Sequence, residues 1–145
     1  MPRFDPATFR WEGIEPRPYK DDPGAARGMG WRGVSRQTLV REAFEVRYFE
    51  IAPGGYSSLE KHAHVHAVFA ARGHGRALIG REVLDLRPLD LVRTPPWAPH
   101  RWVNAGDEPF GFLCTVDANR DRPQPLDDDE WAALLADPAT APFAH

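Results

Sequence analysis

The segment GGYSSLEKHAHVH, residues 54–66, places three of the chain's six histidines at alternate positions, His62, His64 and His66. Spacing of two puts side chains on one face of a β-strand, whereas a turn between His62 and His66 would put those two on adjacent strands. A fourth histidine, His100, follows a proline-rich turn. Because imidazole binds transition metals well, this clustering predicts a mononuclear divalent metal site rather than exposed histidines on an edge strand.

Short strands separated by turns are expected on both sides of this segment. Residues 44–51 alternate and are rich in strand-forming residues, and Gly80-Arg81 joins two such runs as a hairpin turn would. Further strands are expected at residues 34–40, 57–62, 66–72, 91–94, 101–104 and 110–116, with turns at 53–55 and 73–75. Turn signals that recur about every ten residues are typical of an all-β sandwich or barrel.

The two ends of the chain differ from this strand-rich middle. Residues 1–31 combine prolines with aromatic residues, which predicts an extended arm packed on the barrel, on a partner subunit, or on both. Residues 32–118 would form the barrel itself. Residues 119–145 would form a C-terminal segment with one short helix, whose acidic start suits the positive helix N-terminus.

Composition narrows the class of protein. A chain of 145 residues with a formal charge of −3 fits one domain and gives no electrostatic reason to expect a nucleic-acid or membrane partner. The apolar runs are too short to span a bilayer, and the N-terminus lacks the apolar core of an export signal. The single cysteine, Cys114, cannot form an internal disulfide, and we therefore expect a cytoplasmic protein.

The spacing of the histidines matches a known motif. Gly54 is followed by five residues to Glu60, one to His62, three to His66 and six to Gly73. These intervals resemble the first motif of the cupin superfamily, in which two histidines and then a glutamate occupy the three middle positions. Here a glutamate comes first and a histidine last, so the composition of the usual set is kept while its order is exchanged.

A second stretch resembles the second cupin motif. Leu89 is followed by five residues to Pro95, one to Trp97, two to His100 and three to Asn104. Leu89 and Trp97 stand where the family has glycines, which favour a positive φ angle. Their presence predicts a different local turn, with Trp97 overhanging the mouth of the pocket.

The resemblance implies a fold and a ligand set. It implies an antiparallel double-stranded β-helix, or jelly-roll barrel, that forms a homodimer. Its metal ligands would be Glu60, His62, His66 and His100, with His64 in the connecting turn as the alternative to Glu60. Such a donor set suits Mn, Fe, Ni, Zn or Cu and leaves positions open for a small-molecule substrate.

Other side chains are candidates for a role beside the metal. Cys114 lies in a late apolar strand, which makes it either a buried small hydrophobe or a nucleophile that faces the metal cavity. Five arginines on or beside expected strands are either solvated residues or an anion site for a phosphate or carboxylate substrate. These arginines are Arg41, Arg47, Arg72, Arg76 and Arg101.

Three segments carry a narrower resemblance. Residues 47–50, 53–62 and 111–114 are similar to the cupin methylsulfurylases that act on methylthio-xylulose phosphate, and the cysteine implicated there maps onto Cys114. We therefore predict a metal-dependent enzyme acting on a small polar or phosphorylated metabolite, as an isomerase, an oxygenase or a catalyst of C–S bond chemistry. The alternative is a non-catalytic module that binds a metal or a small molecule.

Overall fold

The computed structural model describes residues 1–22 and 25–145; Pro23 and Gly24, which fall in the predicted arm, lie outside the described residues. The described residues form eleven strands, one α-helix and one 3-10 helix. The strands are β1 (Phe4–Asp5), β2 (Arg10–Trp11), β3 (Arg17–Pro18), β4 (Arg32–Arg41), β5 (Phe44–Tyr56), β6 (His66–Arg72), β7 (Gly75–Ile79), β8 (Glu82–Leu86), β9 (Leu91–Thr94), β10 (His100–Asn104) and β11 (Phe110–Asp117). The helix α1 spans Asp128–Ala136, and the 3-10 helix spans Ala141–Phe143.

The long strand β5 is the centre of the main sheet. It pairs antiparallel with β4, β10 and β11, and the sheet continues as β8-β7-β10-β5-β11-β6-β9, with β3 added beside β4. Because β5 pairs with β10 as well as with β4 and β11, it belongs to both halves of the sheet, which curls around a common interior. The architecture confirms the predicted all-β jelly-roll barrel with an extended N-terminal segment and one short C-terminal helix.

The region before the first histidine differs from its prediction. The expected turn at residues 53–55 is wrong, because β5 continues through it to Tyr56. Gly54 takes a φ of 73°, and a Cβ on Gly55 would lie 2.5 Å from the carbonyl oxygen of Arg32, so these glycines bend the strand without ending it. The expected strand at 57–62 is also wrong, since this segment makes only isolated bridges.

The turns of the second motif correct another expectation. Leu89 has a φ of 82° and Trp97 a φ of 61°, so both take the left-handed conformation that glycine adopts readily. The prediction that the bulkier residues would change the turn is therefore wrong at the level of the backbone. The left-handed conformation costs a non-glycine residue about 1–2 kcal/mol, which the surrounding hydrogen bonds must offset.

Two apolar clusters hold the barrel in shape. One fills the interior and includes the stacked rings of Phe49 and Phe112, whose centroids lie 5.5 Å apart. The other lies under α1, where Trp131 packs with Leu59 in the segment that leads to the first histidine. The helix starts at a capping box on Asp127, as its acidic sequence predicts. None of the helices in the described residues is long and apolar enough to cross a membrane.

Aromatic residues of the N-terminal segment contact the barrel of the same chain. The rings of Phe9 and Trp11 lie 5.4 and 5.1 Å from that of Tyr48 on β5. Tyr19 packs edge-on against Trp31 at 4.8 Å. These contacts account for the apolar composition of this segment without a second subunit, although they leave the rest of its outer surface available to one.

Candidate metal centre

Three buried histidines meet inside the barrel. His66 is the first residue of β6 and His100 the first of β10, while His62 ends the irregular segment after β5. One ring nitrogen from each lies within 4.8 Å of the other two, as a single metal ion requires. The turn between His62 and His66 therefore brings these residues together from adjacent segments rather than along one strand face.

Backbone and side-chain partners orient the three rings. The Nδ1–H of His62 donates to the carbonyl of His64, and the Nδ1–H of His100 donates to the carbonyl of Ala98, each at 2.9 Å. The Nδ1 of His66 lies 3.2 Å from the sulfur of Cys114. With Nδ1 engaged in every ring, the Nε2 atoms are the ones free to bind a metal, which is the usual arrangement when a second partner fixes a metal-binding histidine.

Burial keeps the three imidazoles neutral. Loss of solvent lowers the pKa of His62 and of His100 to about 4, and that of His66 to about 2. The neighbouring imidazoles lower the pKa of His66 further, as does the Arg47 guanidinium. A neutral imidazole is the form that binds a metal, so all three are ready to do so at neutral pH.

An unpaired nitrogen supports the fit to a metal. The Nε2 of His66 is buried and has no hydrogen-bond partner. A buried polar atom without a partner costs about 1–3 kcal/mol, and a bound cation would remove that cost. The donor chemistry and the spacing of the three rings therefore fit a divalent transition metal, while they do not distinguish one such metal from another.

Glu60 lies beside these rings. An isolated bridge pairs Glu60 with His100, and its Oε1 is 4.0 Å from the Nε2 of His100. Its other oxygen, Oε2, accepts a hydrogen bond from Ser58, which was not singled out in the sequence. The carboxylate is thus held with one oxygen toward the histidines, although it falls outside the tight three-nitrogen cluster.

His64 is held in a different way. Its ring stacks on His62 with centroids 3.5 Å apart, and its Nδ1 lies 2.7 Å from Oδ1 of Asp121. Asp121 also accepts hydrogen bonds from the backbone N–H groups of Ala63 and His64, and these contacts hold the pKa of its carboxyl at about 2. The connecting turn is therefore pinned to the loop after β11, and His64 stands beside His62 without belonging to the three-nitrogen cluster.

The histidines line a cavity of about 560 Å³ that holds further chemical groups. Its wall also contains Cys114, Arg41 and Arg47. The Arg47 Nη2 donates to the Cys114 sulfur at 3.2 Å. Burial raises the pKa of the Cys114 thiol, and the positive charge of Arg47 opposes that effect. Cys114 thus lies between a candidate metal ligand and a fixed cation.

The other three candidate arginines lie elsewhere. Arg72 donates to Glu50 at 3.0 Å, and Arg76 lies over the ring of Phe143. Arg101 is buried beneath the C-terminal segment, where it donates to the carbonyl of Phe143 at 2.6 Å. These positions remove Arg72, Arg76 and Arg101 from the cavity wall and give them structural contacts instead.

Sequence reasoning missed several residues of the wall. Arg120, Asp121 and Arg122 come from the loop after the last strand, and nothing in their spacing relates them to the histidine motifs. Trp97, expected to overhang the pocket mouth, is half exposed, and its backbone N–H donates to the carbonyl of His62 at 2.7 Å. Trp97 therefore supports the histidine cluster through its backbone N–H rather than through its indole ring.

Comparison with known proteins supports this architecture. Residues 47–116 match the cupin domain family. The chain is 42% identical to the 1-methylthio-D-xylulose 5-phosphate methylsulfurylase of Rhodospirillum rubrum over 94% of its own length and 87% of that protein.

Two crystal structures of similar sequence share the whole fold. A cupin-2 barrel protein from Rhodopseudomonas palustris superposes with a TM-score of 0.87 at 42% identity, covering 99% of this chain and 97% of that one. A cupin-2 domain protein from Rhodospirillum rubrum gives 0.84 at 41% identity, covering 97% and 94%. The similarity therefore extends beyond the histidine motifs to both ends of the chain.

Proposed function

The chain belongs to the cupin family, and from that premise we propose that it is a metal-dependent enzyme that transfers a methylsulfur group from a 1-methylthio-pentulose phosphate to a thiol. The observation that carries the proposal is the position of Cys114. Its sulfur lies 3.2 Å from a ring nitrogen of His66 and 3.2 Å from a nitrogen of Arg47, on the wall of the same cavity. A candidate nucleophile, a candidate metal site and a cation thus share one cavity.

Four side chains would hold the metal. His62, His66 and His100 supply the three nitrogens that already face one another. Glu60 is the fourth ligand in this proposal, because one of its oxygens faces His100 while His64 is tied to Asp121. Bound Mn, Fe, Ni, Zn or Cu would supply Lewis-acid chemistry that polarises a substrate carbonyl.

The proposed chemistry uses the Cys114 thiolate as the nucleophile. In a 1-methylthio-2-ketose the thioether carbon C1 adjoins the C2 carbonyl. The thiolate attacks the thioether sulfur, an S–S bond forms and the C1–S bond breaks. The electron pair of that bond passes to C1 and the adjoining carbonyl as an enolate, which takes up a proton at C1 and becomes a methyl ketone.

A second thiol completes the cycle. A low-molecular-weight thiol attacks the methylthio disulfide on Cys114, releases the Cys114 thiolate and leaves with the methylsulfur group as a mixed disulfide. Carbon C1 is reduced by two electrons, and the two sulfur atoms of the disulfide are oxidised by the same number. No further oxidant or reductant is needed.

Arg47 stabilises the nucleophile in this scheme. Burial disfavours the thiolate and raises the pKa of Cys114, and the adjacent guanidinium is the largest opposing influence. The hydrogen bond from Nη2 also fixes the sulfur on the cavity side of β11.

Turnover of 1-methylthio-xylulose 5-phosphate with a small thiol tests the proposal. The wild type is expected to form the methyl ketone and the mixed disulfide in equal amounts. Cys114→Ser is expected to lower the rate by about a thousandfold or more, as loss of a nucleophile does, while its metal content stays at the wild-type level. Thr115→Ala, on the exposed face of the same strand, is the matched control.

Three outcomes would count against the scheme. Absence of turnover in metal-loaded wild type would refute the proposed reaction and favour a non-catalytic binding module. Unchanged turnover in Cys114→Ser would remove the thiol from the chemistry. Failure to detect a methylthio group on Cys114 by mass spectrometry, when substrate is supplied without a second thiol, would refute the covalent step.

We also propose that the chain forms a homodimer through the outer face of β6 and β9. Phe69 and Leu91 are paired in register on these strands, and both side chains are exposed. Exposed apolar pairs on a sheet surface favour burial against a second surface. Sedimentation analysis should give a dimer for the wild type and for the control Leu135→Lys, and a monomer for Leu91→Lys; a wild-type monomer would refute the proposal.

A further inference from the structure

A single buried carboxylate gathers three arginines on the cavity wall. Oε1 of Glu45 lies 3.2 Å from Nε of Arg41, and its Oε2 lies 2.9 Å from Nη2 of Arg120 and 3.9 Å from Nε of Arg47. Arg41, Arg47 and Arg120, here named the arginine cluster, all line the cavity. Three guanidinium groups around one carboxylate leave a local surplus of two positive charges.

The fold brings these residues together from three elements. Glu45 and Arg47 are two residues apart on β5 and both are buried, so they share its inner face. Arg41 stands opposite Glu45 in the register of β4 and β5. Arg120 comes from the loop after β11, which is anchored where the N–H of Ala118 donates to the carbonyl of Ala43.

The cluster keeps unused donors. Arg47 is 7% exposed, yet its Nε has no hydrogen-bond partner, the carboxylate oxygen of Glu45 being 3.9 Å away. Leaving a buried charged donor without a hydrogen bond is costly. Among the described residues that line the cavity, five are cationic and two are carboxylates, so an anion would be attracted to this space.

We propose that the arginine cluster binds the phosphate group of a phosphomonoester substrate. A phosphomonoester carries a charge of about −1.5 to −2 at neutral pH, which matches the surplus charge of the cluster. Guanidinium groups bind phosphate oxygens in pairs of parallel hydrogen bonds, a geometry that a single ammonium group does not offer. Which end of the substrate reacts is inferred from the function proposed above, whereas the inference that the cluster binds phosphate does not depend on that function.

The arginine cluster lies at one end of the cavity wall and the histidines lie at the other. Arg47 contacts Cys114, which in turn contacts His66, so the phosphate subsite, the thiol and the metal site follow one another along the wall. Glu45 acts as a positioning residue, because its two oxygens hold the guanidinium groups together. A phosphate bound here would fix one end of a short sugar while its carbonyl end reaches the histidines.

Calorimetric titration with inorganic phosphate, using the protein as purified, tests the inference. Wild type is expected to bind phosphate, and Arg41→Gln and Arg120→Gln are each expected to weaken that binding about tenfold or more. Arg93→Gln removes the same charge from the exposed outer face of β9 and is expected to bind phosphate as the wild type does. The substituted arginines are partly exposed, so both variants should fold.

Each result decides the question. Weaker binding in both cavity variants, with wild-type binding in Arg93→Gln, supports the subsite even if no methylsulfur transfer is ever detected. Absence of phosphate binding to the wild type overturns it. Equal binding by all four proteins, or an equal loss in Arg93→Gln, also overturns it, because the phosphate would then be held by the metal or by net charge alone.

Discussion

The two ends of the cavity respond to burial in opposite ways. At the histidine end, loss of solvent lowers the pKa of three imidazoles, which are therefore neutral at physiological pH, the form that binds a metal. At the arginine end three guanidinium groups carry positive charge, and a buried carboxylate, Glu45, compensates part of it. The same cavity therefore has one end suited to a cation and the other suited to an anion.

Cys114 contacts a residue at each end of the cavity, Arg47 and His66. Burial raises the pKa of its thiol, as it would at any apolar position, while Arg47 opposes the shift. Its other contact is the Nδ1 of His66, whose Nε2 faces the candidate metal site. We therefore predict that substitutions at either end of the cavity change the pKa of the Cys114 thiol. Substitution of Glu45 should act mainly on the arginine end, and substitution of Glu60 mainly on the histidine end.

The largest effect is expected at the arginine end. Glu45→Gln should lower the free energy of unfolding by about 3–5 kcal/mol, because it leaves the buried Arg47 without its counter-charge. Chemical denaturation measures the change. Glu50→Gln, which breaks the partly exposed pair with Arg72, is the control and should cost about 1 kcal/mol or less. Equal losses in the two variants would show that Glu45 is not needed to hold the cluster.

Two substitutions at the histidine end separate the candidate fourth ligands. Glu60→Gln is expected to weaken metal binding by at least about 10–100-fold, because loss of a contact that only supports a ligand already has an effect of that size. His64→Gln is expected to leave metal affinity within a fewfold of the wild type, since His64 is tied to Asp121. Competition with a chelator measures both affinities. The reverse ranking would make His64 the ligand and refute the assignment of Glu60.

The neutral state of the histidines predicts how the metal-free protein responds to pH. In the unfolded chain histidine binds a proton at its ordinary pKa of 6.5, whereas folded His66 does so only near 2. Below pH 6.5 the unfolded state takes up protons that the folded state does not, so stability should fall as pH decreases from 6.5 towards 4.

Thermal unfolding of chelator-treated protein at pH 7 and pH 5 measures this effect. The decrease in Tm between the two pH values should be smaller in His66→Gln than in the wild type. His74→Gln, a half-exposed histidine outside the cluster, should keep the wild-type decrease. Equal decreases in all three proteins would contradict the lowered pKa of His66.

The smallest effect concerns the turn that supports the histidine end. Because Trp97 has a φ of 61° and acts through its backbone N–H, Trp97→Gly is expected to unfold with a free energy about 1 kcal/mol higher than Trp97→Ala. Both variants remove the indole, so their difference isolates the backbone conformation. Wild-type metal content in both would agree with a backbone role, and loss of metal in both would contradict it.

Regular alternation made much of the fold predictable from sequence. β6, β9 and β11 lie where alternating or apolar runs predicted strands, and Gly80-Arg81 joins β7 and β8 as expected. Residues 53–62 were misassigned because glycine signals both a turn and a bend within a strand. Only the close approach of Gly55 to the neighbouring strand, a tertiary contact, decides between the two. The division at residues 31 and 118 stays a prediction.

The histidine end was predictable to a greater extent than the arginine end. The clustering of the histidines, together with its resemblance to the two cupin motifs, indicated His62, His66 and His100, which the structure brings together. Arg120 and Asp121 reach the cavity from a loop whose path depends on the ion pair of Arg120 with Glu45 on β5 and on the contact of Asp121 with the histidine turn. No local sequence pattern predicts the path of this loop. The role of Glu45 in holding the arginine cluster together is visible only in the folded structure.

Metal analysis of untagged protein, purified without chelators, tests the central claim most directly. The account predicts one divalent transition metal ion per chain in the wild type, and only background metal in the folded His62→Ala/His100→Ala double variant. The double variant His64→Ala/His74→Ala, which removes two histidines outside the three-nitrogen cluster, should keep the metal. A wild-type metal content in His62→Ala/His100→Ala would contradict the site.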